Sequence, residues 1–191
     1  MGHVTLDMSM SLDGFVAGPH ISVQQPMGKD GERLHAWLFN SSGSEIDAGI
    51  AREIFATTGA VVLGKRTFEL GLGQWGDVPF PVPCFVLTHE PRQELVQKSG
   101  TFTFVTDGIA SALERAKAAA GEKDVRLMGA DIAQQFLQAR LLDEIQINLV
   151  PILLGDGTRL FDHFGTSPIE LESINVIASP AVTHLKFRVV K

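Results

Sequence analysis

Cysteine is nearly absent from this chain of 191 residues. The one thiol, Cys84, lies in the apolar run Pro83-Cys-Phe-Val-Leu87, so no disulfide framework or thiolate metal site is available and a buried core thiol is expected. The six histidines are far apart and give no metal-ligand spacing, so no metal is expected. No stretch approaches the roughly 18 consecutive apolar residues of a membrane span, and no charged region with a cleavage site precedes the first strand pattern. Position 6 is Leu6, which breaks the myristoylation pattern. A cytoplasmic protein is the expectation. Positive charge is also scarce: a formal net charge of −6, with scattered Lys and Arg, excludes the basic face of a nucleic-acid binder. Equally missing are G-x-G-x-x-G, a Walker phosphate loop, a G-x-S-x-G elbow, H-E-x-x-H and C-x-x-C.

What is present is a core-forming composition, 45% hydrophobic and 20% charged, enough for one domain over residues 1–191. Val4 to Met10 alternates apolar and polar side chains as a half-buried strand, closed by the Asp13-Gly14 turn. From Ile21 to Asn40 no period holds, and Pro26, Gly28 and Gly31 mark a long loop of the kind that serves as lid or binding loop. Ser44 opens a helix with Ile46, Ile50, Ile54 and Phe55 on one face, stopped by Gly59. A strand over 61–63, a short helix over 67–70, a loop over 71–83 and strands over 84–87 and 102–105 follow. An alanine-rich helix over 109–120, a strand over 125–128, a helix carrying Ile132, Phe136, Leu137 and Leu141, and a strand over 144–150 come next. Beyond Pro151, Gly155-Asp-Gly157 and Pro180 separate strands at 169–177 and 182–190 without a long helix, which predicts antiparallel pairing. The expected fold is α/β: three layers, α/β/α, around a mostly parallel sheet with antiparallel strands at the C-terminal edge.

Two segments run from an apolar strand through a glycine straight into a helix: Ala60-Val-Val-Leu-Gly-Lys-Arg-Thr-Phe-Glu69 and Val125-Arg-Leu-Met-Gly-Ala-Asp-Ile-Ala-Gln134. Such turns are ordinary α/β connections, but they also aim free helix N–H groups at an anion. Two of them, with the Lys65-Arg66 doublet in the first, suggest a diphosphate-containing ligand held at two points. A phosphate-gripping scaffold without an obvious nucleophile favours chemistry brought by a cofactor, above all hydride transfer.

These residues resemble the dihydrofolate-reductase-like family, and within it the reductase domain of riboflavin biosynthesis. Met10-Ser-Leu-Asp-Gly-Phe-Val-Ala17 is similar to that domain's first strand and S-x-D-G turn, and Leu63-Gly-Lys-Arg-Thr-Phe-Glu69 to its G-R-x-T-[WFY]-E segment. Leu127-Met-Gly-Ala-Asp131 stands where the family has a paired-glycine turn, with Ala130 in place of the second glycine. Leu142 to Gly157 resembles its D-E-[LI]…P-x-x-L-G-x-G signature. The resemblance implies NADPH as cofactor. Gly64, Lys65, Arg66 and Thr67 would hold the pyrophosphate and 2′-phosphate, and Leu87, Thr88 and His89 would flank adenine, with Arg92 as a further phosphate cation. Gly129, Ala130, Asp131 and Ile132 would form the second grip, and Ala17 would border the nicotinamide.

Asp13 is either a turn residue or a ligand of substrate or cofactor, and Trp37 either stacks on a flat heterocycle or packs in the core. These two stand as the catalytic candidates. Asp30 and His35 are further loop candidates, whereas Glu45 and Asp47 suit a helix cap. The implied activity is NADPH-dependent hydride transfer to a small heterocyclic or carbonyl substrate, most simply that of a 5-amino-6-(5-phosphoribosylamino)uracil reductase. Lys29 and Arg33 are the only cations in the substrate loop. The alternatives are a non-catalytic dinucleotide-binding dimer and a dihydrofolate-reductase-like enzyme with another substrate. The resemblance also implies a homodimer paired through the C-terminal strands.

Overall fold

The computed structural model describes residues 2–39, 44–76, 80–163, 165 and 167–191. Asn40, where the long loop was expected to end, and Pro79, within the expected 71–83 loop, lie outside the described residues. Strands β1 (Val4–Ser11), β3 (Thr58–Gly64), β4 (Cys84–Leu87), β6 (Thr101–Val105), β7 (Asp124–Met128) and β8 (Glu144–Val150) form the parallel part of one sheet. Its full order is β10-β11-β8-β1-β7-β3-β4-β6-β5, with β5 at Leu95–Val96, β10 at Leu171–Ala178 and β11 at Thr183–Val189. Strands β10 and β11 join antiparallel at the C-terminal edge, and β5 joins antiparallel at the other. The short strands β2 (Phe15–Ala17) and β9 (Thr158–Arg159) pair separately.

Alternation along the strands sorts the helices onto two faces. Ala60 and Val62 of β3 share a core with α4 (Ile109–Ala120) and α5 (Ala130–Gln138), through Ala112, Ala116, Ile132 and Phe136. Val61 and Leu63 point the other way, against Phe68, Leu72 and Trp75 of α3 (Lys65–Trp75) and Ile54 of α2 (Glu45–Thr57). A 3₁₀ turn (Gly31–His35) and the short α1 (Ala36–Phe39) lie beside α2, where Leu34 and Trp37 pack on Val150 and Val182. The three layers therefore follow from the two-residue period of the strands.

Strand β1 is asymmetric. Val4, Leu6, Met8 and Met10 face the apolar layer, whereas Thr5, Asp7, Ser9 and Ser11 form a polar file on the opposite face. Asn148 Nδ2 donates to Asp7 Oδ1 at 2.9 Å, and Arg126 lies 3.5 Å from Asp7 Oδ2 while its Nε donates to Thr58 Oγ1 at 2.9 Å. His184 bridges Asn148 Oδ1 at 2.7 Å and Asp47 Oδ1 at 2.9 Å. Burial pushes the Asp7 carboxyl up, opposed by Arg126.

Several boundaries differ from expectation: β3 spans 58–64, not 61–63, α5 ends at Gln138, short of Leu141, and the loop expected from Ile21 holds the 3₁₀ turn and α1. Two further differences have a visible cause. Helix α3 runs to Trp75, not to residue 70, although it contains Gly71 and Gly73. A Cβ on Gly71 would lie 2.1 Å from the Trp75 ring, so this glycine lets the indole lie on the helix backbone, and packing overrides its poor helix propensity. Helix α2 ends at Thr57, with Thr58 Oγ1 donating to Ile54 O at 2.6 Å, and Gly59 belongs to β3. There a Cβ would meet Ala120 O at 2.8 Å, which explains the glycine by close approach of α4. The apolar stripe of α2 is only partly covered: Ile46 and Phe55 remain about half exposed. Cys84 is buried, and burial pushes its thiol up to about 12.

Candidate active site

Adjacent parallel pairing of β3 and β7 sets Leu63 opposite Met128, which brings the two glycine turns side by side at the carboxyl ends of the strands. The helices they open leave for opposite faces, making this a topological switch point, where ligands of open α/β sheets bind. Gly129 has φ +102° and ψ 145°, and a Cβ there would lie 2.5 Å from Thr67 Oγ1. Gly64 packs on Ile132, whose side chain would sit 3.5 Å from an added Cβ. Each turn thus touches the helix opened by the other. The N–H groups of α3 and α5 converge on one space.

That space is a cavity of about 920 Å³. Gly64, Lys65, Arg66, Thr67, Leu87, Thr88, His89, Gly129, Ala130, Asp131, Ile132 and Ala17, all expected at the cofactor, line it. The first loop, α1 and the C-terminal part of α3 also contribute to the lining, with Gln24, Gln25, Glu32, Phe39, Gln74 and Trp75. The loop is folded on itself: Gly18 N donates to Met27 O at 2.8 Å and Lys29 N to Pro19 O at 2.8 Å. The absence of a side chain on Gly157 lets the Ala17 backbone approach, since a Cβ there would meet Ala17 O at 2.0 Å.

The cations are not equivalent. Lys65 Nζ lies 2.8 Å from Glu90 Oε2 and 3.8 Å from Glu69 Oε1, and the hydrogen bond to Glu90 holds its pKa above the usual lysine value. Arg66 is exposed beside the cavity and has no carboxylate partner among the described residues. Arg92, expected as a further phosphate cation, instead stacks over Phe104 at 4.9 Å and Phe68 at 5.7 Å and sits 3.9 Å from Glu69. It does not line the cavity.

Neither catalytic candidate lines the cavity. Asp13 accepts from Ser11 Oγ at 2.6 Å, Leu154 N at 3.1 Å and Gly155 N at 2.7 Å, so its carboxylate ties the first turn to the loop after β8. Trp37 is buried, donates through Nε1 to Ser9 Oγ at 3.0 Å and meets His184 edge-on at 5.0 Å. Both side chains are thus held in contacts between elements, away from the cavity lining. Asp30 is exposed at φ +61°, His35 does not reach the cavity, and Burial lowers the His35 pKa. Glu45 pairs with Arg52 on the surface, and Asp47 forms a capping box with Ser44.

The Ser11 hydrogen bond, with the Leu154 and Gly155 amides, holds the Asp13 carboxyl down to about 2, below its ordinary 3.8. A depressed carboxyl stabilises the fold above its unfolded pKa and loses that contribution as pH falls through the folded value. Wild type is therefore expected to be more stable than Asp13→Asn at neutral pH, with the difference shrinking between about pH 4 and about pH 2. Denaturant titrations across that range check it. A difference independent of pH would remove the carboxylate from the explanation.

Sequence reasoning missed Glu32, Phe39 and Trp75 as lining residues. For Trp75 a signal existed, because Phe68, Leu72 and Trp75 recur at helical spacing. Among the described residues, no group of three His, Cys, Asp or Glu side chains is placed to hold a metal ion, and no helix is long and apolar enough to cross a membrane.

Comparison with known proteins agrees with this architecture. The chain superposes with a TM-score of 0.74 on a protein of Shewanella sp. PV-4 provisionally named for riboflavin biosynthesis, at 22% identity, covering 99% of each chain. It superposes with a TM-score of 0.69 on the diaminohydroxyphosphoribosylaminopyrimidine deaminase/5-amino-6-(5-phosphoribosylamino)uracil reductase of Thermotoga maritima, at 14% identity, covering 99% of this chain and 57% of that one. A dihydrofolate reductase of Enterococcus faecalis, solved in complex with NADP(H), gives a TM-score of 0.60 at 15% identity, covering 100% of this chain and 98% of that one. These likenesses establish a dihydrofolate-reductase-like fold. The model of the RibD C-terminal domain matches residues 2–184, so the chain belongs to that family, the reductase domain of riboflavin-biosynthesis proteins.

Proposed function

We propose that this protein is an NADPH-dependent reductase that transfers hydride to a small, flat heterocyclic or carbonyl substrate. The reference reaction is that of a 5-amino-6-(5-phosphoribosylamino)uracil reductase, the activity named for the Thermotoga relative. One observation carries the reading: two glycine-opened helix N-termini meet in a single cavity, with Gly129 against Thr67. Backbone N–H groups of α3 and α5 bind the diphosphate, aided by the helix dipoles. Arg66 holds the 2′-phosphate as a charge-assisted fork, because the charge of Lys65 is shared with Glu90 and Glu69. When bound, NADPH supplies the hydride. Ala17 and Ala130 would shape the space beside the reacting face, and Trp75 adds an aromatic surface to the same cavity. Water is the proton source in this reading, since neither Asp13 nor Trp37 lines the cavity.

The test is thermal unfolding with each cofactor. NADPH at about a hundredfold excess over its Kd is expected to stabilise the protein by roughly 2.7 kcal/mol, with little effect from equal NADH. No shift with either at millimolar concentration would sink the reading. Arg66→Ala is expected to weaken NADPH about 10- to 100-fold and to leave NADH within about twofold, as for a lost charged hydrogen bond. Equal losses for both would remove the 2′-phosphate role.

The proposal extends to a homodimer. Of the apolar stretch from Ile145 to Leu154, the part in β8 is interior, as β8 lies between β11 and β1; the edge strand on the C-terminal side is β10, with Leu171, Ile174 and Val176 exposed. Such an edge favours pairing with a second copy.

A further inference from the structure

We infer that, unlike the phosphoribosyl substrate of the reference reaction, the substrate of this site carries no phosphate: it is a flat, unphosphorylated nitrogen heterocycle with an N–H edge. The inference rests on the reductase reading and concerns the half of the cavity left after the cofactor is placed. Among the described residues, the basic side chains lining the cavity are Lys65, Arg66 and His89, all just beyond β3 and β4; in the proposed cofactor placement Arg66 holds the 2′-phosphate, Lys65 is paired with Glu90 and Glu69, and His89 flanks the adenine. The lining contributed by the first loop, α1 and the end of α3 includes Gln24, Gln25, Glu32, Phe39 and Trp75, which bring amides, aromatic rings and one carboxylate but no cation.

The two cations of the substrate loop do not change this balance. Lys29 and Arg33 are exposed and lie outside the lining. Arg159, on the neighbouring β9, is occupied over the Phe15 ring at 4.5 Å and on Asp13 O at 3.2 Å. The sequence Asn40-Ser-Ser-Gly43 and Asp77-Val-Pro79 carries no basic residue either. A phosphate monoester entering this part of the cavity would lose water without gaining a cation, and Glu32 would repel it. Aromatic faces and an acceptor carboxylate instead suit an uncharged ring that donates N–H groups.

The experiment uses the NADPH-saturated protein, once NADPH binding itself has been measured, so that failure of the cofactor reading is seen separately. Two forms of one aminouracil riboside, with and without the 5′-phosphate, are compared with a pterin for binding and for NADPH oxidation. At least one unphosphorylated ring is expected to bind, and the riboside is expected to be at least tenfold better than its phosphate. Glu32→Gln is expected to narrow that ratio several-fold while leaving the NADPH Kd unchanged. Equal or better use of the phosphorylated form would overturn the inference, as would no binding of any unphosphorylated ring at millimolar concentration.

Discussion

Gly129→Ala is expected to abolish measurable NADPH stabilisation while the protein still folds. The added Cβ meets Thr67 Oγ1 at 2.5 Å, and the backbone stands at φ +102° and ψ 145°, a region held essentially by glycine alone. That strain costs about 1–3 kcal/mol. Turning the Thr67 side chain can relieve the contact, but the torsional demand at residue 129 is met by moving one helix N-terminus away from the other, which separates the two sets of N–H donors. Binding should therefore fall by more than stability does. Thr67→Ala removes the oxygen but not the torsional demand, so the double variant separates the two causes: partial recovery would assign part of the loss to the contact. Isothermal titration and denaturant unfolding, run on all three variants, measure it. Wild-type affinity in Gly129→Ala would refute the close-approach argument.

Arg126→Met is expected to destabilise the fold by about 3 kcal/mol at neutral pH, because it leaves Asp7 buried beside Asn148 without its cation. The sign with pH follows from the direction of the shift. Burial raises the Asp7 carboxyl above 3.8, so its contribution to stability declines as pH rises from that value through the folded pKa. Without Arg126 that pKa rises further, and the penalty of the variant should grow from acid to neutral pH. Asp7→Asn keeps the shape and removes the charge; placed in the Arg126→Met background it should restore most of the loss. Chemical denaturation of the four members of this cycle checks the result. An additive cycle would show that the two residues do not act as a pair.

The parts of the molecule that sequence foretold are those whose cause is local. Strands 84–87 and 144–150 and the helix over 109–120 fall at the expected residues, because apolar patterning and glycine punctuation act within each segment. The two glycine turns are legible for the same reason, and strand pairing does the rest by setting Leu63 against Met128. What sequence did not foretell depends on distant partners. Asp13 spends its carboxylate on amides 141 and 142 residues away, and Trp37 meets Ser9 and His184 from two separate strands. Glu32 sits in a 3₁₀ turn too short to show a period. Helix α3 was hidden by Gly71, whose purpose is visible only with the Trp75 ring against it.

That ring has an optical consequence. The chain has two tryptophans, and the fold gives them opposite surroundings: Trp37 is sealed among Ser9, His184 and the core, while Trp75 faces the cavity. Emission from Trp75 therefore carries the information about what enters, over a background from Trp37 that ligands do not touch. A Trp37→Phe protein would be a single-fluorophore sensor of its own site, able to report both cofactor and substrate without a label.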